Sequence, residues 1–432
     1  MKLRLNKEKR AAFDLIENTN NNVFLTGRAG SGKSTLLKYL REKTKKKMAT
    51  LGSTGIAAIN VGGQTVHSFF GFGIDITPDK AKNKSDFRRK SLIEKLERIF
   101  IDEVSMVRAD LLDSVDAYLR ANKNKNLPFG GVQMILMGDL YQLPPVVTER
   151  DKEWFYKIYD SPYFFSAHSF KELNAKYIAL EKVFRQKEKD LIRILNDIRL
   201  GRSSAKDLEI LNTRVRPFSS PEEMDCTVYL ASTNNLADRV NSEQLSRLAG
   251  KTFNFNGLIS GCFPENSLPA PKMLALKEGA QVMMANNDQY GLWVNGDIGK
   301  VVSIKESGGS PTSVTVDIAG RGEYVLYQHQ WDVVEFQYNE AAKRVETAVK
   351  GSYSQYPVKL AWAVTIHKSQ GKTFDKVVID LGKGAFAPGQ TYVALSRCTS
   401  LDGLILRRPL SSQDIFTDEK IAEFTRQMEG SV

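Results

Sequence analysis

The segment Gly27-Arg28-Ala29-Gly30-Ser31-Gly32-Lys33-Ser34 constrains this chain more than any other. It fits G-x-x-x-x-G-K-[ST], with an apolar run, Val23–Thr26, before it and the amphipathic Thr35-Leu36-Leu37-Lys38-Tyr39-Leu40 after it. Strand, glycine turn and helix in that order make a phosphate cradle. Glycines let backbone N–H groups close around the anion at a helix N-terminus, whose dipole favours negative charge. Lys33 would pair with the β- and γ-phosphates of a nucleoside triphosphate, and the Ser34 hydroxyl would ligate Mg²⁺.

Such a site needs carboxylates at the end of a neighbouring strand. Ile99-Phe100-Ile101-Asp102-Glu103 supplies them: Asp102 for Mg²⁺ through water, Glu103 as general base on the attacking water. After a further apolar run comes Gly138-Asp139-Leu140-Tyr141-Gln142-Leu143-Pro144-Pro145, where Gln142 is placed to sense the γ-phosphate and its nucleophilic water. Arg185, in Phe184-Arg185-Gln186, and Arg397, in Ala394-Leu395-Ser396-Arg397, are candidates for charge stabilisation on the transferred phosphoryl group.

Eight short apolar runs are each followed by a loop and a helical pattern: Val23–Thr26, Met48–Ser53, Arg98–Ile101, Gln133–Met137, Tyr177–Leu180, Val228–Ala231, Lys376–Ile379 and Gly403–Leu406. Runs of this length suit strands buried on both faces, with room between them for crossover helices. The expected class is α/β with two parallel sheets. Two stretches break the rhythm. Gly63–Lys90 carries the aromatic cluster His67-Ser68-Phe69-Phe70-Gly71-Phe72-Gly73 and ends in Arg88-Arg89-Lys90. From about Gly299 to Tyr356, polar and apolar residues alternate with period two, which reads as a small antiparallel barrel or hairpin set. The basic run Lys43–Lys47 is read as the solvated end of a helix.

No apolar run reaches the roughly 18 residues of a membrane span, and the charged N-terminus MKLRLNKEKR is unlike a secretory signal. Three scattered cysteines, Cys226, Cys262 and Cys398, suggest neither a disulfide framework nor a zinc site. A reducing compartment is therefore expected: the cytoplasm, with nucleoid association if the source is bacterial. The net charge of +11 favours a polyanionic partner.

Taken in order, GRAGSGKST, TGIAA with GGQTVHSFF, FIDEVSM, GDLYQLPPV, FRQ, AVTIHKSQGKTFD and YVALSRC resemble the motifs of superfamily 1 helicases of the 5′→3′ class. Pro128-Phe129-Gly130-Gly131-Val132-Gln133 is similar to the signature of the petite-integration-frequency (Pif) helicases. The resemblance runs from Leu5 to about Cys398. It implies an ATP- and Mg²⁺-dependent motor with two tandem RecA-like P-loop domains. The first would span 1–63 and 91–174, with a wedge insert at 64–90; the second would span 175–298 and 356–432, with a small β-barrel at 299–355.

Carried over residue by residue, the resemblance assigns hydrolysis to Lys33, Glu103, Gln142, Arg185 and Arg397, and Mg²⁺ to Ser34 and Asp102. ATP contacts are expected from Leu5, Asn6, Gly30, Ser31, Gly32, Lys33, Ser34, Thr35, Gln370 and Gly371. Thr54, Gly55, His67, Phe72, Asn234, Thr365, His367, Lys368 and Ser369 are the expected contacts to single-stranded DNA. Phe69 and Phe70 read as core, and Phe72, flanked by glycines, as the wedge ring.

One departure stands out. The family's opening element is L-[NS]-x-x-Q, and here Lys9 occupies the position of the adenine-reading glutamine, leaving Asn6 or backbone groups for that task. A monomer acting on single-stranded, forked or structured DNA is expected. The rival readings are a RecD-like or conjugation-type module and a DNA-stimulated ATPase that remodels complexes without unwinding.

Overall fold

All eight apolar runs form strands of parallel sheets; all but the edge strand at Lys176–Leu180 are largely buried on both faces. The computed structural model describes residues 5–73, 75–84, 87–186, 188–216, 227–307, 310–339 and 344–430; Cys226 and the side chain of Arg88 lie outside its description. The chain divides into two units: Met1–Phe184 with Asp332–Gly351 and Asp418–Val432, and Arg185–Trp331 with Ser352–Thr417. Among the described residues no helix is long and apolar enough to cross a membrane.

The first unit is built on β1 (Val23–Gly27), β2 (Met48–Gly52), β3 (Gln64–Thr65), β4 (Arg98–Asp102), β5 (Gln133–Met137) and β6 (Lys176–Leu180). Their order across the sheet is β3-β2-β4-β5-β1-β6, all parallel. Helices α1 (Lys7–Asn18) and α2 (Lys33–Lys43) lay Ala12, Ile16, Leu36, Leu37 and Leu40 over Val23, Leu25, Phe100, Ile135 and Met137.

Beneath that core runs a polar network that the apolar pattern hides. Arg98, 0% exposed, donates to Glu17 Oε2 at 2.8 Å, Thr44 Oγ1 at 3.0 Å, Gln133 Oε1 at 2.9 Å and the Ile16 carbonyl. It ties β4 and β5 to the ends of both helices. Burial alone would raise the Glu17 carboxyl, but the Lys45 N–H and the Arg98 guanidinium hold it below the usual carboxylate range. Arg98→Met fills the volume yet strands these acceptors, so it is expected to cost about 3–5 kcal/mol, as breaking a buried ion pair does. A lowered urea midpoint by circular dichroism checks this; an unchanged midpoint contradicts it.

Two expected boundaries are corrected by packing. The run Tyr177–Leu180 was assigned to the second domain, but β6 pairs in parallel with β1, from Val23↔Lys176 to Gly27↔Leu180. The C-terminal helix Glu419–Glu429 also belongs to the first unit. Phe424 stacks on Phe165 (centroids 4.3 Å apart, 7° between planes) and meets Phe24, Phe164 and Phe170.

The second unit has a four-stranded parallel sheet in the order Ala363–Thr365, Val228–Ala231, Val377–Asp380, Leu404–Leu406. Its antiparallel sheet starts earlier than position 299. Gln281–Met284 pairs with Ile298–Ser307 on one side and with Val358–Leu360 on the other, and Ser310–Ile318 and Gly322–Leu326 complete it. Val314 and Val316 fill its inner face with period two, as does Leu326, and Val301 and Ile304, three residues apart, share that face because the register shifts between Val301 and Ser303. The strands His329–Asn339 and Arg344–Gln355, expected within the same insert, lie outside this sheet.

Candidate nucleotide and nucleic-acid sites

Because β4, β5 and β1 are adjacent and parallel, the segments that leave their C-terminal ends must meet. This edge is where open α/β sheets bind ligands. The P-loop leaves β1, Asp102-Glu103 ends β4, and Gly138–Gln142 follows β5. Gly30 (φ 78°) and Gly32 (φ 84°) adopt the left-handed conformation that opens the loop and starts α2. Lys33 Nζ donates to the carbonyls of Gly27 at 2.7 Å and Arg28 at 3.3 Å, holding the ammonium over the cradle. Ser31 Oγ is buried there with no hydrogen-bond partner, a polar atom that a phosphate oxygen would satisfy. Ser34 and Thr35 begin the helix, with Ser34 exposed.

Glu103 sits at φ 51°, ψ 45°, a left-handed conformation that costs a side-chain-bearing residue about 1–3 kcal/mol and is concentrated at functional sites. Its N–H donates to Asp102 Oδ1 at 2.9 Å. Burial, and next the Glu103 charge, push the Asp102 carboxyl up to about 7 against the pull of Lys33. A hydroxyl and a desolvated carboxylate beside a phosphate cradle fit Mg²⁺, which takes one or two protein oxygens and completes its shell with phosphate and water. A Cβ on Gly138 would lie 3.0 Å from the Val104 and Ser105 nitrogens, so only glycine lets the β5 exit approach the turn after Glu103 this closely. Gln142 is buried there, its N–H on the Asp139 carbonyl at 3.0 Å.

The opening element is tied to the first helix and to the P-loop. Leu5 packs against the core of the first unit, and Asn6 caps α1, its Oδ1 accepting from the Lys9 N–H at 3.1 Å. Lys9 is 5% exposed, with its ammonium 4.1 Å from the Phe184 ring centroid and against Gly32 of the P-loop. Burial lowers its pKa.

In the second unit, three distant motifs meet at the end of the helix Gln390–Leu395. Arg185 donates to the Ser396 carbonyl at 3.1 Å and to the Gly371 carbonyl at 3.4 Å. Gln186 donates to Ser396 and Cys398 carbonyls at 3.1 and 3.0 Å. Arg397 is 1% exposed. Its Nε donates to the Val393 carbonyl at 2.9 Å, Nη1 to those of Ser369 and Lys372, and Nη2 to Ser396 Oγ at 2.7 Å. These bonds tie Arg397, expected to meet phosphate, to the Thr365–Gly371 segment. Gly371 takes φ 76°, next to the half-buried Gln370.

The expected DNA contacts fall into three groups. Thr54, His67 and Gly55 lie at the start of short helices: Thr54 Oγ1 accepts from the Ala57 N–H at 3.2 Å, and burial lowers the His67 pKa, which favours neutral imidazole. Asn234, Thr365, His367 and Lys368 cluster beside the strand Ala363–Thr365. Asn234 and Lys368 are exposed, and His367 has its pKa lowered by burial.

Ser369 and Phe72 are corrected. Ser369 is fully buried and donates to the Ile366 carbonyl at 2.7 Å, closing its own turn. Phe72 is 7% exposed, stacked on Phe70 (5.3 Å, 21°) and edge-on to Tyr118. Gly71, left-handed at the end of the helix Val66–Phe70, folds the chain back and turns that ring inward. Phe69 and Phe70 are core, as expected. Asn241 was missed altogether: it makes reciprocal hydrogen bonds with the Ala363 backbone, at 2.8 and 2.9 Å, pinning a helix to the edge of the sheet.

Comparison with known proteins adds lineage to this geometry. The family model for PIF1-like helicases matches residues 4–209. The ATP-dependent DNA helicase Pif1 of Bdellovibrio bacteriovorus is 34% identical over 439 residues, covering 99% of this chain and 93% of the relative. The ATP-dependent DNA helicase PIF1 of Emericella nidulans is 33% identical over 464 residues, covering 94% of this chain; the chain spans 60% of that relative's length. Pif1 from Bacteroides aligns over 98% of its own chain in two states. The unliganded structure (35% identical) gives a TM-score of 0.90 over 99% of this chain, and the complex with ADP-AlF3 and single-stranded DNA (36%) gives 0.71, also over 99%. The chain belongs to the PIF1-like helicase family.

Proposed function

We propose that this protein is an ATP-dependent 5′→3′ DNA helicase that translocates on single-stranded DNA and unwinds duplex or structured DNA in genome maintenance. The observation that carries this reading is the convergence of Lys33, Asp102, Glu103 and Gln142 at the ends of three adjacent parallel strands. The relatives' names, and the Bacteroides complex with nucleotide analogue and single-stranded DNA, support it.

In this reading the P-loop N–H groups and Lys33 hold the phosphates of ATP, and Ser34 and Asp102 hold Mg²⁺, which supplies charge neutralisation on the phosphate oxygens. Glu103 takes the proton of the attacking water, Gln142 orients that water, and Arg185 stabilises charge on the departing phosphoryl group. With Lys9 beside Phe184, the Asn6 amide N–H groups or backbone groups are left to read the base. The neutral imidazoles of His67 and His367 and the Lys368 ammonium offer hydrogen bonds to the DNA backbone without reading sequence.

The test is ATP hydrolysis in Mg²⁺ with and without a thymidine oligonucleotide. A rate that rises at least about tenfold with DNA is expected for a translocating motor. Robust hydrolysis indifferent to DNA would favour the complex-remodelling reading.

A further inference from the structure

A groove of about 400 Å³ lies in the second unit, beside the edge strand Ala363–Thr365. Its walls include Asn234, Asp238, Asn241 and Thr365, and two lysines reach it from different elements: Lys368 from the turn after that strand, and Lys359 from Val358–Leu360 of the antiparallel sheet. Lys359 belongs to none of the motifs above.

We infer that Lys359 is an additional phosphodiester contact, which with Lys368 grips one phosphate of the bound strand. The inference rests on the helicase reading and names a residue that reading did not use. Two like charges in one groove repel each other, and burial penalises the Lys359 ammonium. An ion pair would offset this, yet among the described residues neither ammonium has a carboxylate oxygen within 4.0 Å, although Asp238 lines the same groove. An anion between the lysines relieves both costs at once, and a phosphate is the anion a helicase strand carries.

The titration of the site agrees. Burial, and next the Lys368 charge, lower the Lys359 pKa to about 8. Behind it Lys372, which donates to Asn295 Oδ1 at 2.6 Å, is lowered to about 7 by burial and then by Lys359. The charged groups around Lys359 are thus Lys368, Lys372 and Asp238. A bound phosphate raises the Lys359 pKa again, so binding takes up protons. Affinity is full below the free-state value of about 8 and falls as pH rises above it.

The experiment is fluorescence-anisotropy titration of a labelled thymidine oligonucleotide with the whole protein, wild type against Lys359→Met and Lys359→Arg, across a salt series and from pH 7 to 9. Lys359→Met is expected to weaken binding about three- to tenfold and to reduce the slope of log K against log salt by about 0.7, one single-strand phosphate contact. It should also flatten the fall in affinity above pH 8, while Lys359→Arg restores the salt slope. Hydrolysis without DNA should stay at the wild-type rate in both variants. Unchanged affinity and slope in a folded Lys359→Met protein would overturn the inference and leave the helicase reading standing. A wild type that fails to bind the oligonucleotide would sink both.

Discussion

Glu103→Gln is expected to lower steady-state ATP hydrolysis by about 10²–10⁴-fold, the contribution of a positioned general base, or roughly 2.7–5.5 kcal/mol of barrier. The substitution keeps shape and hydrogen-bonding capacity and removes the basic oxygen. Fold and nucleotide affinity should survive, because Glu103 contributes its left-handed turn through the backbone and the turn packs through Val104 and Ser105, both buried. The strain at this position points the same way: a glycine would hold φ 51° without cost, and a carboxylate is there instead. The check pairs hydrolysis rate with binding of a fluorescent ATP analogue. Retained hydrolysis within a factor of ten would remove Glu103 from the chemistry.

The larger effect is expected at Arg185. An arginine that stabilises the transferred phosphoryl group contributes about 10³–10⁵ in rate, so Arg185→Ala should nearly abolish turnover at unchanged ATP affinity. Arg185 and Arg397 differ in setting. Arg397 is buried, with Nε, Nη1 and Nη2 all donating inside its own unit; Arg185 is half-buried, with its guanidinium on the carbonyls of Ser396 and Gly371. Arg397→Ala should therefore act first on stability, lowering the melting temperature along with activity, whereas Arg185→Ala should leave melting unchanged. Turnover surviving in Arg185→Ala would return the phosphate-sensing role to Arg397 or to a residue outside these motifs.

How far the sequence carried can be judged strand by strand. Continuous apolar runs account for eight of the ten parallel strands among the described residues, because burial in a parallel sheet selects apolar residues; Gln64–Thr65 and Ala363–Thr365 are too short to stand out as runs. They could not say which sheet a run joins: Tyr177–Leu180 has the same character in either, and only pairing with β1 decides it. The antiparallel sheet was placed too late because Gln281–Met284 is buried on both sides and shows no alternation. At the nucleotide site the motif residues carried their own context, as Gly30 and Gly32 must where the loop turns left-handed.

The misses share a cause. Phe72 looked exposed because glycines flank it, but the turn at Gly71 is what sends the ring under Tyr118. Ser369 looked like a groove hydroxyl until the turn it closes was in view. Arg98 and Asn241 are single polar residues inside or beside strands, and their roles come from partners as far as 35 and 122 positions away; Lys359 lies outside every motif and gains its setting from the groove it lines.

In the proposed function, ATP hydrolysis at this site drives strand separation from a 5′ end. The most direct measurement is ATP-dependent unwinding of two partial duplexes, one with a 5′ single-stranded tail and one with a 3′ tail, beside the Glu103→Gln protein. The 5′-tailed duplex alone is expected to open, and not to open in the variant. Opening of the 3′-tailed duplex, or equal opening with Glu103→Gln, would contradict it.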